Sequence, residues 1–207
     1  MLVSRGYPEC NHQMAYAGYS PLDGYLAPGE LEVVRRLLNT WSIPNDTRQP
    51  RDDLPDMVRD SRLWGRAFPG QPKVPPDSAA QLLQLRSCLR AMLDPAEGER
   101  AGFERWLKAI PVHLQGAPEG GKLGIRIVSS ADRTFTGRIV AITAEAMLQG
   151  HWLRLKACPD CRWVFYDPTR NLSKRWCGMT KGGPGGRACG TIAKVSRFRA
   201  RQRQLTR

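Results

Sequence analysis

The chain of 207 residues carries a formal net charge of +13, six cysteines and 41% hydrophobic residues. That length suits one medium domain followed by a small one, and the ordinary apolar content lets the larger part bury a core of its own. No apolar run is long and uncharged enough for a signal-peptide core or a membrane span, so the expectation is a cytoplasmic protein with reduced cysteines rather than a disulfide framework.

In chain order, Leu31, Val34, Leu38 and Trp41 predict a first helix over 30–41, with Pro28 just before it. Asn39 and Thr40 sit inside this apolar segment. Asn39 is a candidate ligand contact, against the alternative that it satisfies a neighbouring backbone or ends the helix. Residues 43–76 are rich in Pro, Asp and Arg and read as loops with one short helix over 54–64. Ser78 to Gln81 is a capping-box start, and Leu82, Leu85, Leu89 and Met92 mark the clearest core helix, ending near Asp94-Pro95. Arg86 and Arg90 lie one turn apart on it. They are candidates to hold an anionic effector between them, Arg86 above all, with a solvated or internally paired role as the alternative.

A second amphipathic helix is predicted over 99–110 through Phe103, Trp106, Leu107 and Ile110, and Pro111 stops it. Gly120-Gly121 turns the chain into a strand over 123–129, expected to pair with the sequence after Asp132 or to stay a short edge. The periodicity of Ala141, Ala144, Leu148, Trp152 and Leu155 predicts one long helix over 137–156, running without a linker into Cys158. Cys88 reads as a core thiol and Cys10 as incidental.

From there the chemistry becomes dense. Cys158-Pro159-Asp160-Cys161 is followed by Cys177 and Cys189. A CxxC pair plus two spaced cysteines is the arrangement of a closed four-thiolate zinc site, a folding clip that leaves no coordination position for a substrate. Pro159 fixes a tight turn, and residues 162–166 are β-branched and aromatic. Asp167-Pro168-Thr169-Arg170-Asn171 is a turn cluster, so the chain is expected to return along 173–176 as a hairpin delivering Cys177. Gly182-Gly183-Pro184-Gly185-Gly186 reads as a loop. A helix over 191–204 follows, with Ile192, Val195 and Phe198 on one side and Cys189 just before its start. Knuckle, hairpin and helix describe a treble-clef-like finger.

The charge is concentrated here. Residues 151–207 hold 14 Lys and Arg against 2 Asp and Glu, whereas residues 1–150 hold 18 against 17. One reading of the cationic run is a solvated terminal face. The other is a phosphate-neutralising helix on a neutral body, the electrostatic footprint of nucleic-acid binding, with Lys194, Arg197, Arg199, Arg201 and Arg203 as the contacts and Arg162, Arg170, Lys174 and Arg175 flanking them.

The run from Cys158 through Trp163-Val164-Phe165-Tyr166-Asp167, then Arg170-Asn171, Arg175-Trp176-Cys177 and Met179, resembles the bacterial CGNR zinc finger. That finger usually stands behind an ABATE domain in stress-induced transcription regulators, and Leu37-Leu38-Asn39-Thr40 resembles the hydrophobic-Asn-Thr signature near the start of ABATE domains. The resemblance implies zinc ligands at Cys158, Cys161, Cys177 and Cys189, and a body that senses an effector or dimerises. It departs at the tetrad naming the finger: Cys189-Gly190-Thr191-Ile192 supplies neither the amide nor the guanidinium of Cys-Gly-Asn-Arg.

The reading is therefore a mainly α protein with a small β element: a helical N-terminal domain over 1–154 and a four-cysteine, treble-clef-like zinc finger over 155–207. Its expected function is zinc-dependent binding of double-stranded DNA in transcription regulation, with a small-molecule effector and a homodimer as further expectations. An RNA-binding finger, stacking bases on Trp163, Tyr166 or Trp176, and a protein-interaction module are the alternatives. His12, His113 and His151 form no metal triad by spacing. No HExxH, GxSxG, Walker A or dinucleotide motif occurs, and a non-enzymatic role is expected.

Overall fold

Leu31, Val34, Leu37 and Leu38 recur at helical spacing and are all buried on α1 (Leu31–Leu38). The computed structural model describes residues 26–71, 77–94, 102–119, 122–179 and 188–205. Cys10, the Gly120-Gly121 turn, the start of the helix predicted from 99 and the glycine-rich segment 182–186 lie outside these residues. The architecture is mainly helical with small sheets, as the periodicity implies.

Helix α1 stops before Trp41, which falls instead in β1 (Trp41–Ser42), paired antiparallel with β2 (Arg51–Asp52). The Thr40 hydroxyl donates to Leu37 O at 2.7 Å and turns the chain out of the helix. The single helix expected over 54–64 is two, α2 (Leu54–Arg59) and α3 (Ser61–Ala67). Asp60 separates them. Its backbone is extended and its carboxylate accepts from Arg62 N and Leu63 N at 2.8 and 3.3 Å, making it the cap of the second helix. Trp64 and Phe68 then form a cluster with Phe135, at ring separations of 4.5 to 5.0 Å.

Helix α4 (Ala79–Leu93) begins where the capping pattern places it, with Ser78 Oγ accepting from Gln81 N at 3.1 Å. Leu82, Leu85 and Leu89 are fully buried. Helix α5 (Gly102–Ala109) packs on α4 beside Cys88, whose thiol pKa is raised by burial, against an opposing effect of Arg105.

The strand at β4 (Lys122–Ser129) pairs with the preceding segment β3 (Val112–Glu119), not with residues after Asp132. The register runs from Val112 opposite Ser129 to Glu119 opposite Lys122. Gly116 and Pro118 disguise β3 in the sequence, because neither favours a strand; eight residues of ladder outweigh them. Helix α6 (Phe135–Leu148) packs on β4 and α1. It does not continue to residue 156. Gly150 takes φ 74°, ending the helix in a left-handed turn, and a 3-10 turn, Trp152–Arg154, leads into β5 (Leu155–Ala157). The body therefore enters the finger through a strand.

One apolar core runs from Ala27 and α1 through Leu54, Leu82, Leu89 and Ile139 to Leu155, Val164 and Tyr166. At the start of α6 the Asp77 carboxylate accepts from Phe135 N and Thr136 N at 2.9 and 3.1 Å, capping the helix from a distant segment. Asp77→Ala is expected to lower the unfolding free energy by about 2 kcal/mol in urea titration, since two buried amides lose their acceptor. An unchanged midpoint would show that Thr134 caps α6 alone.

Candidate metal centre

Strand β6 (Val164–Tyr166) pairs antiparallel with β5, Leu155 opposite Tyr166 and Ala157 opposite Val164, so the hairpin closes across Cys158–Trp163. This corrects the expected hairpin, in which residues 173–176 were the return strand. Alternation along β6 divides the side chains: Val164 and Tyr166 enter the body core, while Phe165 joins the cysteines. Cys158 N donates to Trp163 O and Arg162 N to Cys158 O, both at 2.9 Å, which folds the CxxC segment back on itself. Arg162 sits at φ 60°, a left-handed conformation costing a non-glycine residue about 1 kcal/mol.

Segment 167–175 carries the chain to Cys177 and is organised by Asp167. Its carboxylate is fully buried and accepts from Lys156 Nζ at 2.6 Å, Thr169 Oγ1 at 2.6 Å, Thr169 N at 2.9 Å and Lys174 N at 2.9 Å. Burial works to raise its pKa, but the hydrogen bonds from Lys156, Thr169 and Lys174 prevail and hold it down at about 2. Lys156 also donates to Leu172 O and Lys174 O, and Lys174 Nζ lies 5.0 Å from the Phe165 ring centroid.

The fourth cysteine opens α7 (Cys189–Leu205), two residues earlier than the spacing suggested. Gly190 follows because a Cβ there would stand 2.3 Å from Met179 Sδ and 3.1 Å from Gly178 O, to which Gly190 N donates.

All four sulfurs lie within 4.8 Å of one another and all four cysteines are buried; Cys161 and Cys177 are 3.5 Å apart. Zinc bound tetrahedrally by thiolates at about 2.3 Å requires sulfur separations of about 3.8 Å, so this donor set fits the ion. The electrostatics agree. Hydrogen bonds from Cys161, then Cys177 and Cys189, push the Cys158 pKa far down. Cys177 and Cys189 are pushed up, foremost by their hydrogen bonds to Cys158. One thiolate forms readily and further ones are opposed unless a cation enters. Trp163 and Phe165 close the site, with Trp176 half-buried against it.

Residues 154–202 match the family model of the CGNR zinc finger. A search of curated proteins finds no match. The finger match, the fold and the cluster together identify a metal-binding zinc finger at the C-terminal end, and no helix among the described residues is long and apolar enough to cross a membrane.

Of the candidate nucleic-acid contacts, Arg170, Arg175, Lys194, Arg197, Arg199, Arg201 and Arg203 are exposed. Lys174 is half-buried over Phe165, and Arg162 turns inward to an ion pair with Asp94. The two candidate ligand contacts are engaged within the body and its junction with the finger. Asn39 Nδ2 donates to Val164 O at 2.8 Å and Oδ1 accepts from Val164 N at 2.7 Å. Arg86 pairs with both oxygens of Asp52 at 2.6 and 2.5 Å and donates to Thr40 Oγ1 at 2.7 Å. Sequence reasoning missed Asp167 and Lys156; the Asp-Pro-Thr turn is the signal for the first.

The chain is expected to bind one Co2+ with the visible spectrum of a tetrahedral thiolate site, and Cys177→Ala to lose it; a wild type without that spectrum would refute the centre. Asp167 adds a pH dependence. Its depressed pKa means its stabilising contribution, about 2 kcal/mol, is complete above the ordinary carboxylate pKa near 4 and is lost as pH falls towards 2. Asp167→Asn should therefore be less stable than wild type at pH 5, with the gap closing between pH 4 and 2. A constant gap would contradict the assignment.

Proposed function

We propose that this chain is a zinc-dependent DNA-binding transcription regulator that meets double-stranded DNA through α7. The observation carrying this reading is the exposure of that helix. From Thr191 to Gln204 every residue is exposed except half-buried Ala193. Helical spacing sets Lys194, Arg197 and Arg201 along one side and Arg199 and Arg203, with Ile192, along another, Val195 and Phe198 lying between. Seventeen residues span about 25 Å, enough to lie along a groove with cations towards both phosphate walls. Arg170 and Arg175 extend the basic surface on the metal-bound loop. The tetrad's missing Asn and Arg leave the contacts to these residues.

Burial of Trp163 and Tyr166 and half-burial of Trp176 speak against base stacking by the finger's hairpin aromatics, as an RNA reading needs. The body would serve as the effector-sensing or dimerising part. With Asn39 and Arg86 engaged internally, a cleft of about 200 Å³ lined by Glu30, Arg126, Glu145 and His151 among others offers a place in it for a small polar effector.

The test is binding of duplex DNA over a salt series, with zinc-loaded protein. Affinity is expected to fall steeply with salt, and Arg197→Ala with Arg201→Ala to reduce the log–log slope by about 2 at unchanged zinc content. A salt-insensitive association, or tighter binding to single-stranded RNA, would reject the DNA reading.

A further inference from the structure

Four of five consecutive residues in and beside the CxxC turn have main-chain groups bonded to the body. Arg48 Nη2 donates to Asp160 O at 3.2 Å, Ile43 N to Cys161 O at 3.0 Å and Arg90 Nη2 to Arg162 O at 3.0 Å. Asn39 holds both the N–H and the C=O of Val164. The donors come from α1, the stretch after β1, and α4, elements remote in sequence from the finger.

Arg90 occupies the decisive place among them. It is 4% exposed, lies 4.5 Å from the Trp41 ring centroid, and its Nη1 donates to Leu38 O at 2.8 Å and Trp41 O at 3.3 Å. One nitrogen of the planar guanidinium is thus anchored in the body while the other reaches the finger. Its finger partner, Arg162, is the residue in the left-handed conformation, and the N–H of that same residue closes the turn on Cys158. Ile43 N holds the peptide before Arg162 and Arg90 the one after it; if the latter rotates, Arg162 leaves its left-handed conformation, the turn opens and the two sulfurs no longer face one point. A body residue therefore bears on the geometry of the metal ligands without touching the metal.

We propose that Arg90 is a positioning residue of the metal centre: it fixes the left-handed residue of the CxxC turn through its main-chain oxygen, so that the helical body sets the affinity of the finger for its metal. The coupling is reciprocal. Whatever shifts α4 against α1 changes metal affinity, and metal binding changes that contact by the same factor.

The experiment is competition for Zn2+ between a chelator and the full chain, with the Co2+ visible spectrum as a second readout. Arg90→Met is expected to weaken binding by about 10- to 100-fold, the range for outer-shell partners of metal ligands, and to alter the Co2+ spectrum. Arg90→Lys should fall between. Leu82→Ala, on the same helix but buried in the body core, should destabilise the fold and leave metal affinity near wild type. Adding Arg162→Gly to Arg90→Met should restore much of the loss, because glycine adopts a positive φ unaided.

Wild-type affinity and spectrum in Arg90→Met would overturn the proposal, as would an equal loss in Leu82→Ala, which would mean that overall stability alone is read. Should Arg90→Met not fold, Arg90→Lys with and without Arg162→Gly decides: weakened binding regained by the glycine supports it, and unchanged binding overturns it. A wild type that binds no metal removes the centre and the proposal together.

Discussion

Four thiolates cannot share one small volume without a cation, and the last quarter of this chain is arranged around that constraint. The sulfurs arrive from three backbone contexts: a tight turn between two short strands supplies two, a looped segment the third and a helix start the fourth. Each context has its own polar device. The turn is closed by Arg162, the loop is tied by buried Asp167 to Lys156, and the helix start is brought close by Gly190 against Gly178 and Met179. Apolar material in the finger is slight. Around the cysteines it amounts to Trp163, Phe165 and part of Trp176, which is why a metal is needed where a larger domain would use a core.

The finger is joined to the body by more than its covalent connection. Leu155, Val164 and Tyr166 belong to the body core, and the turn's main chain accepts from Ile43, Arg48, Asn39 and Arg90. Strand alternation makes this possible, because a three-residue strand can turn one side chain to the metal and two to the body. A displacement of α1 or α4 would be transmitted directly to the cysteine turn. In a regulator, that is the route by which the body could act on the finger.

Helix α7 presents the opposite situation. A helix of its length is marginal in water without an apolar partner, yet from Thr191 to Gln204 it is exposed but for half-buried Ala193, Phe198 included at 62%. The packing of Cys189 and Gly190 anchors its first turn, and its five cations repel one another along the remainder. In the complex proposed here a polyanion would remove that repulsion and draw affinity from the same groups, so the feature that costs stability in the free chain would favour the complex.

What the sequence determined by itself was local chemistry. Cysteine spacing singled out the four residues that cluster, because a CxxC pair with two further cysteines is the pattern of a thiolate metal site. Ser78 and the leucine periodicity located α4, and the charge imbalance located the basic helix. Tertiary structure decided what depends on a distant partner. Asn39 meets Val164 across 125 residues, and Arg86 meets Asp52 across 34, so neither role could be read from neighbours. Periodicity carried Leu148, Trp152 and Leu155 into one apparent helix, but Gly150 and the pairing of β5 with β6 broke it. Strand β3 was hidden because its residues gain their ladder only when β4 lies beside them. Spacing along a chain encodes which groups can face one way; only packing fixes what they face, since burial and hydrogen bonding are satisfied by whichever partner the whole fold brings near.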